Sequence, residues 1–538
     1  MNASGQSYNA HSCRGLFKYL QAEPRSSRSR FSPITGECTL YGPRGECRIV
    51  ALGKTVLIER PLWCAHDIFF FHDGKHWLIT DDLAALISIY PKPEPDPAFI
   101  AHYLSSSVII TDRSPFSGIG CIMPGTIVTL RSDGQRDCRP LHDQEPPLDS
   151  DAIPETLTSC IASTCKANRP LLIELSGGLD SAGLFYSALA LARDPARLHP
   201  VTYYDPNITE SSDLAAASAL CKKHGIPLQT IAFPPSGIVS SLSGMSGYKP
   251  ARPSLWLLHC APQQALLSCT HALPDDSIIL NGHGGDHIFL ADPTADAVIE
   301  HLWHRNPGFG QAFQTARSLT ILMQRSWPGL LRECLANSMR RARPRLLDTP
   351  ILSQPDADTS ILTRDCHRLS LQEQRRTDRV VRMEPLSPDR IRRRRIIMAA
   401  VHHGAADRLT DARFQTIYPY LNRSLVCWAE TRPDSLTFSH TFNRLPQRTS
   451  FHRRYRDTIF MRSGKGHISG ALQRMIRAES DAIIDLVQNG EAVRLGFIKQ
   501  EQFLREIRQC ELGSEYVSPA MLLLLSLELY YRCWSCNP

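Results

Sequence analysis

The sequence predicts a mixed α/β protein: a β-rich α+β segment, then an α/β segment wound around a parallel sheet, then a helical C-terminal part. Three observations predict it. Short runs of Val, Ile, Thr and aromatic residues crowd positions 31–130. Between positions 155 and 280 such runs alternate with helical patterns, as in a parallel sheet covered by helices. After about position 295 the pattern is helical and rich in arginine. The chain has 538 residues, 42% of them hydrophobic and 21% charged. That is enough apolar material for more than one core, and it excludes a disordered or fibrous chain.

In chain order, residues 1–30 are polar, with a Ser/Arg-rich stretch from Arg25 to Arg30. The runs CRIVAL, TVLIER, DIFFFHD, KHWLITD and TIVTLRS predict strands, punctuated by turns such as Asp73-Gly74. Asp96 to Ser105 predicts a helix among them. A Pro- and Asp-rich stretch at 143–154 predicts a boundary, which divides the chain into 1–145 and 146–538. Glu155 to Lys166 predicts an amphipathic helix, Leu171 to Leu175 a buried strand, and Ala182 to Arg193 a second helix. Leu198 to Tyr204, Leu228 to Phe233 and Ser277 to Leu280 predict further strands, with a helix from Asp213 to His224 among them.

The apolar run Met521 to Tyr531 contains Glu528 and is too short to span a bilayer. The first residues lack an apolar signal core, so a cytoplasmic protein with no membrane partner is expected. The net charge of +7 is mild for this length, and no nucleic-acid partner is expected. The 17 cysteines are scattered and odd in number, which predicts reduced thiols. Cys533 and Cys536 have metal-pair spacing but no second pair beside them, and are taken as a tail feature.

The most informative segment is Leu175-Ser176-Gly177-Gly178-Leu179-Asp180-Ser181, between a predicted buried strand and a predicted helix. Adjacent glycines let backbone N–H groups approach a phosphate, and the hydroxyls of Ser176 and Ser181 can donate to its oxygens. The helix that follows points its positive end at the anion. Asp180 is out of place beside an anion until a divalent cation such as Mg²⁺ is added between them. The bland reading is a capped Ser/Gly turn. Gly53-Lys54-Thr55 is a poor rival, since it lacks the upstream glycine of a Walker loop and sits in strand-like sequence.

SGGLDS after a buried strand resembles the PP-loop of ATP pyrophosphatases, which split ATP between its α and β phosphates and pass AMP to a substrate. Within that group the chain is similar to the asparagine synthetase and β-lactam synthetase branch. Residues 276–286 (DSIILNGHGGD) resemble its strand and Gly-rich loop ending in Asp. Tyr418-Pro419-Tyr420-Leu421-Asn422 resembles its Pro-Phe-Leu-Asp segment, and Arg462-Ser463-Gly464-Lys465 its late Arg-x-x-Lys element. Residues 31–140 loosely resemble its amidotransferase-like N-terminal half. The resemblance implies a PP-loop ATP pyrophosphatase domain at 146–538 and a glutaminase-like, Ntn-type domain at 1–145.

It also implies roles. Asp180 and Asp286 would hold Mg²⁺ on the pyrophosphate leaving group. Leu175, Ser176, Gly177, Gly178, Asp180, Ser181, Tyr203 and Gly282 would bind ATP. Lys465, the sole lysine between Lys249 and Lys499, would stabilise charge in the transition state. His283 stands where asparagine synthetases carry glutamate and β-lactam synthetases a tyrosine. It can serve as general base for an amine, or hydrogen-bond the loop or a phosphate. Glu210 and Asp213 can meet cationic parts of a substrate or simply flank a helix start. The arginines at 390–395 suit a solvated helix face better than an acidic-peptide site.

Glutamine-dependent members use a cysteine exposed after removal of the initiator Met. Here Asn2 follows Met1, and Cys13 is internal. The chain therefore looks most like the lasso peptide cyclases, which form a macrolactam by adenylating an Asp or Glu side chain and capturing it with the peptide's own N-terminal amine. Such enzymes imply a leader-cleaved precursor peptide and a transglutaminase-like leader peptidase as partners. A β-lactam-type small-molecule amide synthetase is the first alternative. A PP-loop RNA-modifying enzyme and a non-catalytic peptide-binding scaffold follow it.

Overall fold

In the computed structural model, the described residues are 17–20, 32–33, 37–42, 45–89, 93–105, 108–141, 145, 148–165, 169–208, 212–245, 247–270, 273–274, 277–303, 308–342, 361–381, 388–404, 414–462, 469–514 and 516–535. The described residues of the first part of the chain form ten strands: β1 Phe17–Leu20, β2 Ser32–Pro33, β3 Glu37–Gly42, β4 Gly45–Leu52, β5 Thr55–Arg60, β6 Phe69–His72, β7 Trp77–Thr80, β8 Gly120–Cys121, β9 Thr126–Arg131 and β10 Arg136–Pro140. They make two sheets, ordered β2-β1-β7-β6-β8 and β10-β9-β5-β4-β3. Alternation along each strand turns one set of side chains inward. Ile49, Ile58 and Val128 of one sheet pack on Phe70, Trp77 and Ile79 of the other.

The opposite face of the first sheet carries Phe69 and Leu78. It is covered by Phe99 and Tyr103 of the helix Pro97–Ser105 and by Leu524 and Leu525 of the C-terminal helix Pro519–Ser535. The Tyr103 hydroxyl and Ser526 Oγ lie 2.8 Å apart across this seam. The apolar run that is too short for a bilayer is thus a core helix. No described helix is long and apolar enough to cross a membrane.

The second half builds the third sheet from β11 Leu171–Glu174, β12 Leu198–Tyr204, β13 Gln229–Ala232, β14 Ile278–Leu280 and β15 Gln415–Ile417. Every pair is parallel, and the order is β13-β12-β11-β14-β15. Leu171 and Ile173 enter one core while Leu172 enters another, so both faces are buried, as a parallel sheet covered by helices requires. The chain runs outward from β11 to β13, then returns to place β14 on the other side of β11. The crevice between the carboxyl ends of β11 and β14 is the topological switch point, where ligands bind in such sheets.

The sequence located most of these elements but misjudged some ends. The helix after β11 spans Leu179–Leu191 and starts three residues before the expected Ala182. Gly178 is its extended N-cap, so Asp180 sits in the first helical turn. The helix expected at Glu155 starts at Ile153 with Pro154 in its first turn, inside the stretch expected as linker. β15 lies outside the sequence expectation; its Gln415-Thr416-Ile417 lacks the wholly apolar run that marks the equally short β14.

The arginine run is a correction. Arg392 to Arg395 are buried on the helix Pro388–Ala399, and three of them make short ion pairs. Arg393 meets Asp434, Arg395 meets Asp378, and Arg394 meets Glu430 at 3.1 Å. Arg394 also donates to the Gly125 and Leu141 carbonyls, tying the first part of the chain to the second. Carboxylates supplied from distant positions satisfy the charges, and a helical charge pattern alone cannot show that.

Candidate active site

The loops after β11 and β14 face each other across the switch point. In the first, Ser176 Oγ lies 3.2 Å from Ser181 Oγ, and Ser181 Oγ donates to the Gly178 carbonyl at 3.1 Å. Gly177 has φ +70°, and a Cβ there would lie 2.3 Å from the Asp213 carbonyl oxygen, so only glycine fits. Leu175 is buried beneath the loop and donates its N–H to the Val201 carbonyl of β12 at 2.8 Å.

The second loop, Asn281 to Asp286, comes so close that a Cβ on Gly285 would lie 2.2 Å from Asp180 Oδ1, while one on Gly282 would be 3.2 Å from Asp180 Cβ. The two aspartates, 106 residues apart, therefore meet. Arg444 Nη1 donates to Asp180 Oδ2 at 2.7 Å and to Asp286 Oδ1 at 2.6 Å. Asp180 also accepts from Gln447 Nε2 at 2.7 Å, and its backbone carbonyl accepts from the Tyr420 hydroxyl at 2.9 Å. Burial raises the Asp180 carboxyl above its ordinary range; Arg444 opposes this and Asp286 adds to it. Asp286 is the outer member, with a side chain 44% exposed against 15% for Asp180. Two carboxylates that converge on one cationic nitrogen form a hard oxygen donor set that fits Mg²⁺.

His283 lies on the β14 loop, its N–H donating to Asn281 Oδ1 at 2.7 Å. Its Nε2 is 3.0 Å from the Ala400 carbonyl, which can only accept. That bond assigns the proton to Nε2 and leaves the lone pair on Nδ1. Burial lowers its pKa below the ordinary histidine value, so the ring is neutral near pH 7. The rings of His287 and Tyr418 pack against it at 5.2 and 5.8 Å. The Tyr203 hydroxyl sits 3.4 Å from Glu174 Oε1 at the end of β11.

Asp213 does not wait for a cationic substrate group: it pairs with Arg462 Nη2 at 2.7 Å. Arg462 Nη1 donates to the Gly177 carbonyl at 2.8 Å and so props the loop. Lys465, Glu210, Cys13 and Cys536 lie outside the described residues. Cys47, Cys64 and the other cysteines whose side chains are described form no disulfide.

Sequence reasoning missed Arg444, Gln447, Asn281 and Glu174. Asn281 Nδ2 hydrogen-bonds Glu174 Oε2, joining the ends of β14 and β11. Arg444 and Gln447 stand at the start of the helix Leu445–Tyr455, and their available signal is Pro446, a helix-start residue. It marks the turn but says nothing of what the turn faces.

No curated protein matches the chain. A family model described as asparagine synthase matches residues 152–532, well over half of the chain and the whole of the third sheet with both of its facing loops. Members of that family are ATP-dependent amide ligases, and the crevice has the Gly-rich loop and paired carboxylates that such chemistry uses. The chain belongs to the asparagine synthase family.

Proposed function

We propose that the protein is an ATP-dependent lasso peptide cyclase. The observation that carries its activating chemistry is the meeting of Asp180 and Asp286 around one cation beside the SGGLDS loop. These two residues would hold Mg²⁺, which supplies Lewis-acid polarisation of phosphate oxygens. Ser176, Gly177, Gly178 and Ser181 cradle the phosphates, with Leu175, Tyr203 and Gly282 around the nucleotide. An Asp or Glu side-chain oxygen of a leader-free peptide attacks the α-phosphorus of ATP. The bond to the bridging oxygen breaks, and pyrophosphate leaves with that electron pair.

The peptide's N-terminal amine then attacks the acyl-adenylate carbonyl, AMP departs, and the amine proton passes to a base. His283 is suited to that step, because it is neutral, its ring is anchored through Nε2, and its Nδ1 carries the lone pair. Lys465 would steady charge at the reacting phosphate. The Gly-His-Gly-Gly-Asp-His string at 282–287 favours the cyclase over a glutamine-dependent enzyme. In this reading residues 1–145 form a glutaminase-like, Ntn-type domain, residues 146–538 the PP-loop domain, and the enzyme works in the cytoplasm with a precursor peptide and its leader peptidase.

Purified protein with Mg²⁺, ATP and a leader-free peptide should release AMP and yield a product lighter by one water. Asp180→Asn and Asp286→Asn should each abolish AMP release. AMP release with small amino acids but never with peptides would favour a small-molecule amide synthetase. Full activity in either variant would refute the metal assignment.

A further inference from the structure

We propose that Arg444 is a built-in metal surrogate: its guanidinium occupies the cation position between Asp180 and Asp286 and must leave before a metal ion can enter. The proposal rests on the reading of those two carboxylates as the Mg²⁺ ligands. Nη1 is within 2.7 Å of Asp180 Oδ2 and 2.6 Å of Asp286 Oδ1. The other Asp180 oxygen, Oδ1, is taken by Gln447. A hard divalent cation bound to Asp180 therefore competes with Nη1 for Oδ2, the oxygen that Gln447 leaves, and a guanidinium and a metal cannot sit together between the two carboxylates. Guanidinium and metal exclude each other there.

The arginine is poorly satisfied in this position. A guanidinium normally meets carboxylates through two nitrogens of its planar fork. Here one nitrogen serves both carboxylates, while Nε is buried with no hydrogen-bond partner. The side chain is nine-tenths buried, so water does not compensate. The backbone is strained as well: Arg444 has φ +51°, left-handed for a residue with a Cβ. Its neighbours fix that turn. Leu445 N–H donates to the Thr437 carbonyl at 2.7 Å, and the Arg444 carbonyl accepts from Arg448 N–H at 3.1 Å.

A second cation, Arg448, interacts with it. Arg448 donates to the Asn443, Phe460 and Arg462 carbonyls at 3.0, 3.0 and 2.9 Å, with no carboxylate among these partners. Burial and the like charge of Arg444 lower its pKa to about 10. A second cation so near makes an anion entering the crevice a favourable partner for the Arg444 guanidinium. The pair of aspartates is thus kept together without metal. Metal is admitted only with phosphates that can receive the displaced guanidinium. The device sets an order of binding: nucleotide and metal enter together, and metal alone is refused.

Mn²⁺ binding, followed by the loss of the free-ion spin-resonance signal, tests this without turnover. Nucleotide-free wild-type protein should bind Mn²⁺ weakly. Arg444→Gln should bind it at least tenfold more tightly, and adding Asp286→Asn to that variant should cancel the gain. Equal Mn²⁺ affinity in wild type and Arg444→Gln, lost on Asp286→Asn, would leave the carboxylate site standing and overturn the surrogate. If wild type and Arg444→Gln both fail to bind Mn²⁺ even with α,β-methylene-ATP, the carboxylate reading itself falls and takes the surrogate with it. Should the glutamine variant not fold, Arg444→Met removes the same charge with a side chain of similar length; it too must bind Mn²⁺ more tightly than wild type, and no gain there overturns the proposal.

Discussion

Gly285→Ala isolates the geometry of the aspartate pair from the stability of the fold. Gly285 opens the short helix Gly285–Ile288, and its backbone is one that alanine adopts, so the helix itself gains roughly 0.5–1 kcal/mol from the change. The new Cβ would however lie 2.2 Å from Asp180 Oδ1, so the carboxylate must retreat by about 1 Å, a displacement that costs on the order of 10²-fold in rate when it misplaces a reacting constellation. The retreat also disturbs the bond from Gln447 Nε2, a loss of about 1.5–3 kcal/mol for a charged acceptor. The loss exceeds the gain by about 0.5–2.5 kcal/mol, so the melting temperature should fall by only a few degrees. AMP release should fall about a hundredfold by the same positional argument. Gly310→Ala is the control. It lies in the helix Phe309–Leu322 with open space around its Cβ position, and should stabilise slightly without touching AMP release. The assay is AMP release beside a thermal melt for both variants. Gly285→Ala with wild-type AMP release would show that the close approach of the two loops does not position Asp180.

Three further outcomes follow from other parts of the molecule. Burial would raise Glu373, but hydrogen bonds and charge from Arg376, with Thr111 and Arg113, pull it down to about 2 from an ordinary 4.5. A carboxyl depressed in the folded state stabilises above the unfolded value and loses that contribution as pH falls. About 3 kcal/mol should therefore disappear between pH 4.5 and 2, a slope that denaturant melts should show in wild type and not in Glu373→Gln. Arg394→Met should cost about 3–5 kcal/mol, because it strands Glu430 and two carbonyls of the first part of the chain at a buried seam; an unchanged melting temperature would refute that role. His283→Asn should leave ATP–pyrophosphate exchange largely intact while abolishing the amide product, and equal loss of both steps would assign His283 to the loop's architecture instead.

Local signals made much of the protein legible. The run Leu171 to Leu175, apolar but for Glu174, the glycines and hydroxyls of SGGLDS, and the glycines around His283 announced two loops of unusual backbone at strand ends. Both loops lie at the switch point of the third sheet. These signals survive in sequence because a buried strand needs apolar residues throughout and a tight turn needs glycine, whatever the rest of the chain does. Their limit shows in the helix after β11, placed three residues late because Asp180 and Ser181 suit a turn and a first helical turn equally well.

What the sequence by itself determined is therefore the wound sheet, its Gly-rich loops and the candidate acids Asp180 and Asp286. Only the tertiary structure decided that Arg444 bridges those acids, that Arg462 pairs with Asp213, and that Arg392 to Arg395 are buried. Arginine carries the same charge and the same long side chain at every position. Whether it is solvated, paired or wedged between two carboxylates depends on which distant acids the fold brings within reach, and that is a property of packing that no local pattern encodes.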